Sequence, residues 1–244
     1  MPGDSGTPVV WFVGAGPGDP DLITVKGRAL LDDADVLIYA GSLVNPELVA
    51  SSSAGEKLDS WGMHLDDIVT LIEDRVRKGK KVVRLHSGDP ALYGSVVEQI
   101  AELERRQVMI RIVPGVSSVF AAAAALRTEF TPRGVSDTLI ITRPAGKTLD
   151  RDYIAELSRY PSTMAFFLGS EHFSDITGKL ACPPDTPAVV IYHASWPDQL
   201  IIAGTVADIA QKAEDAGITK SALLIVGRAV LGTGSGYRRS HLYS

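Results

Sequence analysis

Val9-Val10-Trp11-Phe12-Val13 runs straight into Gly14-Ala15-Gly16-Pro17-Gly18-Asp19-Pro20, and this junction decides the fold. A short β-branched and aromatic run that empties into a glycine-rich turn ahead of a helix is how an α/β protein sets backbone against a small ligand. The turn fails as a dinucleotide fingerprint. With Gly14 and Gly16 in the first two glycine slots, the third falls on Asp19, where close helix packing wants Gly or Ala. Pro17 also removes an N–H that a pyrophosphate would use. Taken alone, the loop fits a rigid ligand-binding turn and a plain chain reversal equally well.

Up to about residue 115 the same alternation repeats. Val36–Tyr39, Lys81–Leu85 and Met109–Val113 read as further buried strands, each bounded by Gly, Pro or Asp. Thr24–Leu31, Leu65–Arg77 and Ser95–Arg105 read as helices. In the second of these, Leu65, Ile68, Val69, Ile72 and Val76 recur at helical spacing. Strand and helix in alternation predict right-handed crossovers and a parallel sheet. Past Pro114-Gly115 the order changes. Ser117-Ser118 can cap a helix over Ala121–Leu126, and strands are expected at Asp137–Ile141, Thr163–Leu168, Ala188–Tyr192, Gln199–Ala203 and Leu223–Val226. Helices are expected at Asp152–Leu157 and Val206–Ala216. The strands near 190 and 200 are too close in sequence for a parallel crossover, so that pair should be antiparallel and the second sheet mixed. The reading is thus an α/β protein of two domains, 1–115 and 116–244, with Gly232-Thr233-Gly234-Ser235-Gly236 as a flexible linker to the tail.

Composition narrows the function classes. Of 244 residues, 45% are hydrophobic and 22% charged, ordinary for a globular protein. One cysteine, Cys182, excludes a disulfide framework and a cysteine-based metal cluster, and fits the cytoplasm. The stretch Met1–Pro8 has neither the basic start nor the apolar core of a secretory signal, and no apolar run reaches spanning length. A net charge of −5 speaks against nucleic acid or an anionic membrane as partner. His64, His86, His172, His193 and His241 show no metal-ligand spacing; His86 stands out because it abuts a glycine loop. Gly146-Lys147-Thr148 resembles the end of a phosphate loop, but Ile141 occupies the slot of its first glycine, leaving a basic turn.

Open α/β sheets hold ligands at the carboxyl ends of their strands, and three such loops here share one composition. They are Gly14–Pro20, then His86-Ser87-Gly88-Asp89-Pro90-Ala91-Leu92-Tyr93-Gly94, then Pro114-Gly115-Val116-Ser117-Ser118. Asp89 can serve a ligand amine, a loop N–H, or an Asx turn ahead of Pro90.

The ordered set GAGPGDP, DADVLIYAGSLVNPE, RLHSGDPALYG, VPGVSS, YHASWPDQ and SALLIVGR resembles the tetrapyrrole (corrin/porphyrin) methyltransferases over about Val9 to Arg228. AGSLVNPE, ASWPDQ and the tail Ser240–Tyr243 are similar to the branch that methylates C11 of precorrin-4. That resemblance implies two α/β domains, S-adenosyl-L-methionine in a cleft between them, and a homodimer. It implies cofactor contacts at Pro17, Gly88, Asp89, Pro90, Ser117 and Ser118, and from the second domain at Leu168, Ala194 and Ala222. The expected reaction is methyl transfer to C11 of precorrin-4 or cobalt-precorrin-4, without a resident metal. Asp19 and Tyr93 are the expected catalytic contacts on the substrate side. Arg84, Arg127, Arg143 and Lys147 are candidates for the substrate carboxylates. His193 stands where relatives usually carry Arg, and Ala91 where Ser is common. The alternatives are a uroporphyrinogen-III C-methyltransferase of the same fold and, from another class, a non-catalytic nucleotide-binding protein.

Overall fold

The computed structural model describes residues 9–41 and 43–241. Met1–Pro8, Ser42 of the AGSLVNPE motif, and Leu242 and Tyr243 of the tail lie outside the described residues. The chain divides into two compact units, Met1–Ser118 and Val119–Ser244.

The first unit is an all-parallel sheet of five strands: β1 (Val9–Gly14), β2 (Val36–Tyr39), β3 (Glu56–Asp59), β4 (Val82–His86) and β5 (Met109–Val113), ordered β3-β2-β4-β1-β5. Its central strands are largely buried and mostly apolar because both faces are covered, with Arg84 and His86 as the polar residues of β4. Helices α1 (Val25–Asp32) and α2 (Pro46–Ser51) cover one face, where Leu31, Leu48 and Val49 meet Val13, Leu37 and Leu85. Helices α3 (Leu65–Arg77) and α4 (Val96–Arg105) cover the other, where Ile68, Val69, Ile72 and Leu103 meet Phe12, Ile38 and Val82. Each fully buried aliphatic side chain contributes roughly 1.5–3 kcal/mol.

Local chemistry explains the helix ends. Thr24 Oγ1 accepts the Gly27 N–H at 3.1 Å and starts α1. Asn45 Oδ1 accepts the Glu47 N–H at 2.8 Å, and Pro46 follows as the first helical residue of α2. Helix α3 carries Asp66 and Asp67 in its first turn and Arg75 and Arg77 in its last, matching the helix dipole. Arg75 grips Glu56 of β3 through Nε and Nη2, at 2.8 and 2.6 Å, fastening the charged edge strand. That pairing holds the Glu56 carboxyl below its ordinary range.

The second unit holds β6 (Leu139–Thr142), β7 (Thr163–Phe166), β8 (Pro187–Tyr192), β9 (Leu200–Thr205) and β10 (Ala222–Val226) in the order β6-β7-β10-β8-β9. β6 and β7 are parallel and the other pairs antiparallel, including β8 with β9, so the sheet is mixed as expected. Helices α6 (Ile154–Leu157), α7 (Phe173–Lys179) and α8 (Ile209–Asp215) pack on one face through Ile154, Phe173, Ile176 and Ile209. Helix α5 (Ser118–Ala125) supplies the other through Val119, Ala121 and Ala122.

Three expectations need correction. Gly232–Gly236 is not a linker: Arg228–Ser235 forms 3₁₀ turns kinked at Gly232, and Ser235 is buried. The Arg228 guanidinium donates to Ser235 O, and the chain beyond is tied back by Arg238 N to Arg133 O at 2.8 Å. Helix α5 begins at Ser118, so that residue lies inside the helix instead of capping it. Strand β4 extends to His86, which therefore belongs to the sheet and not to the loop.

Candidate active site

In the first sheet β4, β1 and β5 are neighbours, so the three glycine loops leave adjacent strands at one edge. The chain after β1 passes to α1 on one face, and the chain after β4 passes to α4 on the other. Adjacent strands whose connections part to opposite faces define a topological switch point, where open α/β sheets hold ligands.

The loops are fused there by backbone. Ala15 N donates to His86 O at 2.7 Å, and Gly16 and Gly88 exchange N–H···O bonds of 3.2 and 2.8 Å. Gly16 and Gly88 have φ of 82° and 60°, which favours glycine. Gly14, Gly88 and Gly115 crowd together so closely that a Cβ on Gly115 would sit 2.2 Å from Gly88 O and 2.8 Å from Gly14 Cα. Absence of a side chain at Gly14 and Gly115 thus serves loop-to-loop contact first, a use that composition does not reveal.

Asp89 supplies the side-chain bond in this junction. Its Oδ1 accepts from Ala91 N at 2.7 Å, closing the Asx turn, and its Oδ2 accepts from Gly115 N at 2.8 Å. Asp89→Ala leaves the half-buried Gly115 N–H unpaired, so we expect it to cost about 2 kcal/mol in urea unfolding. Asp89→Asn keeps one acceptor and should cost less; equal stability for all three proteins would contradict this role. Loop one has its own anchor: buried Asn45 donates from Nδ2 to Gly18 O at 2.8 Å.

Around this junction Pro17, Pro90 and Ser117 are buried, while Gly88 and Ser118 are half-buried. Asp19 caps a 3₁₀ turn, accepting from Asp21 N at 2.9 Å. Tyr93 is 39% exposed at a φ of 55°. A large exposed side chain held in the left-handed region is the kind of backbone strain that gathers at ligand sites.

Four expected site residues in the second unit also meet at one sheet edge. Leu168 follows β7, Ala194 follows β8 and Ala222 opens β10, the strand between them. Leu168 is 60% exposed at a φ of 53°, and His193, Ser195 and Ser221 are left-handed as well. Ser170 Oγ joins this edge through the Ala222 N–H and carbonyl, both at 3.1 Å. Arg143 follows β6 at the same edge, donating to Thr148 Oγ1 at 2.7 Å, and Lys147 is exposed in that turn. Arg127, exposed after α5, lies on none of these strand ends. His193 stacks on Tyr192, ring centroids 3.8 Å apart, and its Nδ1 lies 3.0 Å from the Asp198 carboxylate.

Arg84, a candidate for the substrate carboxylates, is buried within β4. It is 6% exposed, with Nη1 on Ser60 Oγ at 2.8 Å and Nε on Gln99 Oε1 at 3.3 Å. Burial lowers its pKa to about 10, opposed by the charge of Asp59. His86 is 7% exposed beside the Phe12 ring, and its Nε2 has no hydrogen-bond partner. Burial, then the Arg84 charge, pushes the His86 pKa down to about 3. Ser60 and Gln99 were not legible as site residues, although an arginine inside Val82-Val83-Arg84-Leu85-His86 was itself the signal. Among the described residues no group of three or more His, Cys, Asp or Glu could hold a metal ion, and no helix is long and apolar enough to cross a membrane.

The family model described as tetrapyrrole (corrin/porphyrin) methylases matches residues 9–210. The cobalt-precorrin-4 C(11)-methyltransferase of Methanocaldococcus jannaschii is 46% identical, over 91% of this chain and 88% of that protein. The X-ray structure of a cobalamin biosynthetic enzyme, a cobalt precorrin-4 methyltransferase, superposes with a TM-score of 0.88 at 45% identity, covering 91% of this chain and 95% of the other. Uroporphyrin-III C-methyltransferase from Thermus thermophilus, complexed with S-adenosyl homocysteine, follows at a TM-score of 0.80 and 28% identity, covering 91% and 98%.

Proposed function

The chain belongs to the tetrapyrrole (corrin/porphyrin) methylase family, and on that premise we propose that it transfers a methyl group from S-adenosylmethionine to C11 of precorrin-4, cobalt-bearing or metal-free, in cobalamin biosynthesis. The observation that carries the reading is the fused junction of three loops at the switch point, together with near-half identity to a C11-methyltransferase along the chain. The uroporphyrinogen alternative fits less well, since its solved relative shares 28% identity against 45%.

The residues suit a cofactor held by backbone. Gly14–Gly18 and Gly88 bring few bulky side chains to the edge, and the Asp89 carboxylate is already committed to two amides. Pro17, Gly88, Asp89, Pro90, Ser117 and Ser118 are assigned to the cofactor in the first unit, and Leu168, Ala194 and Ala222 in the second. When bound, S-adenosylmethionine supplies a methyl group already activated on sulfonium. The protein's task is then to hold the reacting carbon near and in line, which rigid loops do. Asp19 and Tyr93 are assigned to the polar rim on the substrate side. Arg84, Arg127, Arg143 and Lys147 are assigned to its carboxylates, because a net-acidic protein needs local cations there. The proposal extends to a homodimer, on the family resemblance, and to the cytoplasm, on the single cysteine.

Mass spectrometry of a reaction with S-adenosylmethionine and each form of precorrin-4 tests the function. One added methyl on either form is the expected result. A protein that leaves both unmethylated refutes the assignment.

A further inference from the structure

Arg84 is a buried cation with no salt bridge among the described residues. Its two hydrogen-bond partners, Ser60 Oγ and Gln99 Oε1, are neutral, and no carboxylate among the described residues lies within ion-pair distance. The nearest acid to influence it, Asp59, has its Oδ1 committed to the Gly41 and Trp61 amides, each at 2.9 Å. The partners are themselves fixed: Ser60 Oγ donates to Tyr39 O at 2.9 Å, and Gln99 Nε2 donates to Ser95 O at 3.2 Å. A buried guanidinium with only neutral hydrogen-bond partners is costly, and Asp59 offsets that deficit only from beyond ion-pair distance.

His86, two residues along β4 and on the same face of the sheet, has the matching deficit. Its Nε2 is buried with no partner, and the ring is neutral over the physiological range, so it has a hydrogen to donate from one nitrogen. A guanidinium with only neutral acceptors and an imidazole nitrogen with no partner therefore share one face of the strand that ends at the glycine junction.

We propose that Arg84 and His86 form a buried subsite for one carboxylate arm of the macrocycle, with Arg84 neutralising its charge and His86 Nε2–H donating to its second oxygen. The inference rests on the methyltransferase reading and adds a residue pair that fixes how the substrate is oriented. A subsite for one propionate or acetate arm selects the position of that arm on the ring's rim. Arginine suits this because its planar fork spans Ser60, Gln99 and an incoming oxygen at once, which a lysine ammonium cannot do.

The test uses the whole chain. Arg84→Gln should raise KM for precorrin-4 about tenfold, the size of one lost charge-assisted contact, with a smaller change in kcat. S-adenosylhomocysteine affinity should stay at the wild-type value. In parallel, wild-type protein labelled with ¹⁵N-histidine is titrated with precorrin-4 in the presence of S-adenosylhomocysteine, which permits no turnover. The His86 Nε2 resonance, assigned by its loss in His86→Gln, should move on addition of substrate. This arm holds even if Arg84→Gln does not fold. An unchanged KM in folded Arg84→Gln, or a stationary His86 signal at saturating substrate, overturns the subsite while leaving the methyltransferase reading intact. Wild-type protein that methylates neither form of precorrin-4 removes the reading itself, and the subsite with it.

Discussion

Gly115→Ala is expected to lower the unfolding free energy by about 3 kcal/mol and to abolish S-adenosylhomocysteine binding. The new Cβ would lie 2.2 Å from Gly88 O, 2.8 Å from Gly14 Cα and 3.0 Å from Gly14 C, all backbone atoms. No rotamer change relieves contact with backbone, so a loop must move. Any movement of Gly115 also pulls its N–H from Asp89 Oδ2 and disturbs the strand end that Gly88 and Gly16 share. Gly55→Ala is the control in the same unit: nothing lies within 4 Å of its Cβ, and we expect a change within about 0.5 kcal/mol. Urea unfolding and calorimetric titration read both quantities. A Gly115→Ala protein as stable as Gly55→Ala, with cofactor-product binding intact, would show that the three loops are not fused as described.

That junction marks the boundary of what the sequence reveals. The strands β1, β2 and β4 were legible because a strand covered on both faces is mostly apolar, the edge strand β5 because its short run stops at Pro114-Gly115, and Leu65–Arg77 because its apolar positions follow the helical period. The edge strand β3 was not: Glu56-Lys57-Leu58-Asp59 packs one apolar side chain and owes its place to Arg75, nineteen residues away. Helix α2, six residues long, was not expected either, being too short to show a helical period. Helix α7, seven residues with Gly178 inside it, offered no such period. Loop composition pointed to the correct edge of the sheet, yet which loops touch depends on strand order. Glycine in a loop is silent about whether it makes room for a ligand or for another loop, and here Gly14 and Gly115 make room for each other. The neighbours of Arg84 come from β3's end and α4, and only the fold brings them together.

Acid should destabilise the wild-type protein more than His86→Gln, and the sign follows from burial. In the unfolded chain the imidazole takes up a proton near pH 6.5; in the folded chain burial and the Arg84 charge delay that to about 3. Between those values the unfolded state binds more protons, so stability is full above about pH 6.5 and drains as pH falls toward 3. The slope is about 1.4 kcal/mol per pH unit, which places stability at pH 4.5 roughly 3 kcal/mol below its plateau from this one group. Carboxylates held low by their partners, such as Asp152 beside Lys179, titrate alike in both proteins and cancel in the comparison. His86→Gln keeps a polar side chain of similar reach but has no proton to gain. Urea unfolding at pH 7.5 and 4.5 should therefore show the wild type losing the larger share, by an amount near the figure above. Parallel losses in the two proteins would mean that the imidazole is hydrated in the fold, and that its Nε2 already has the partner it lacks here.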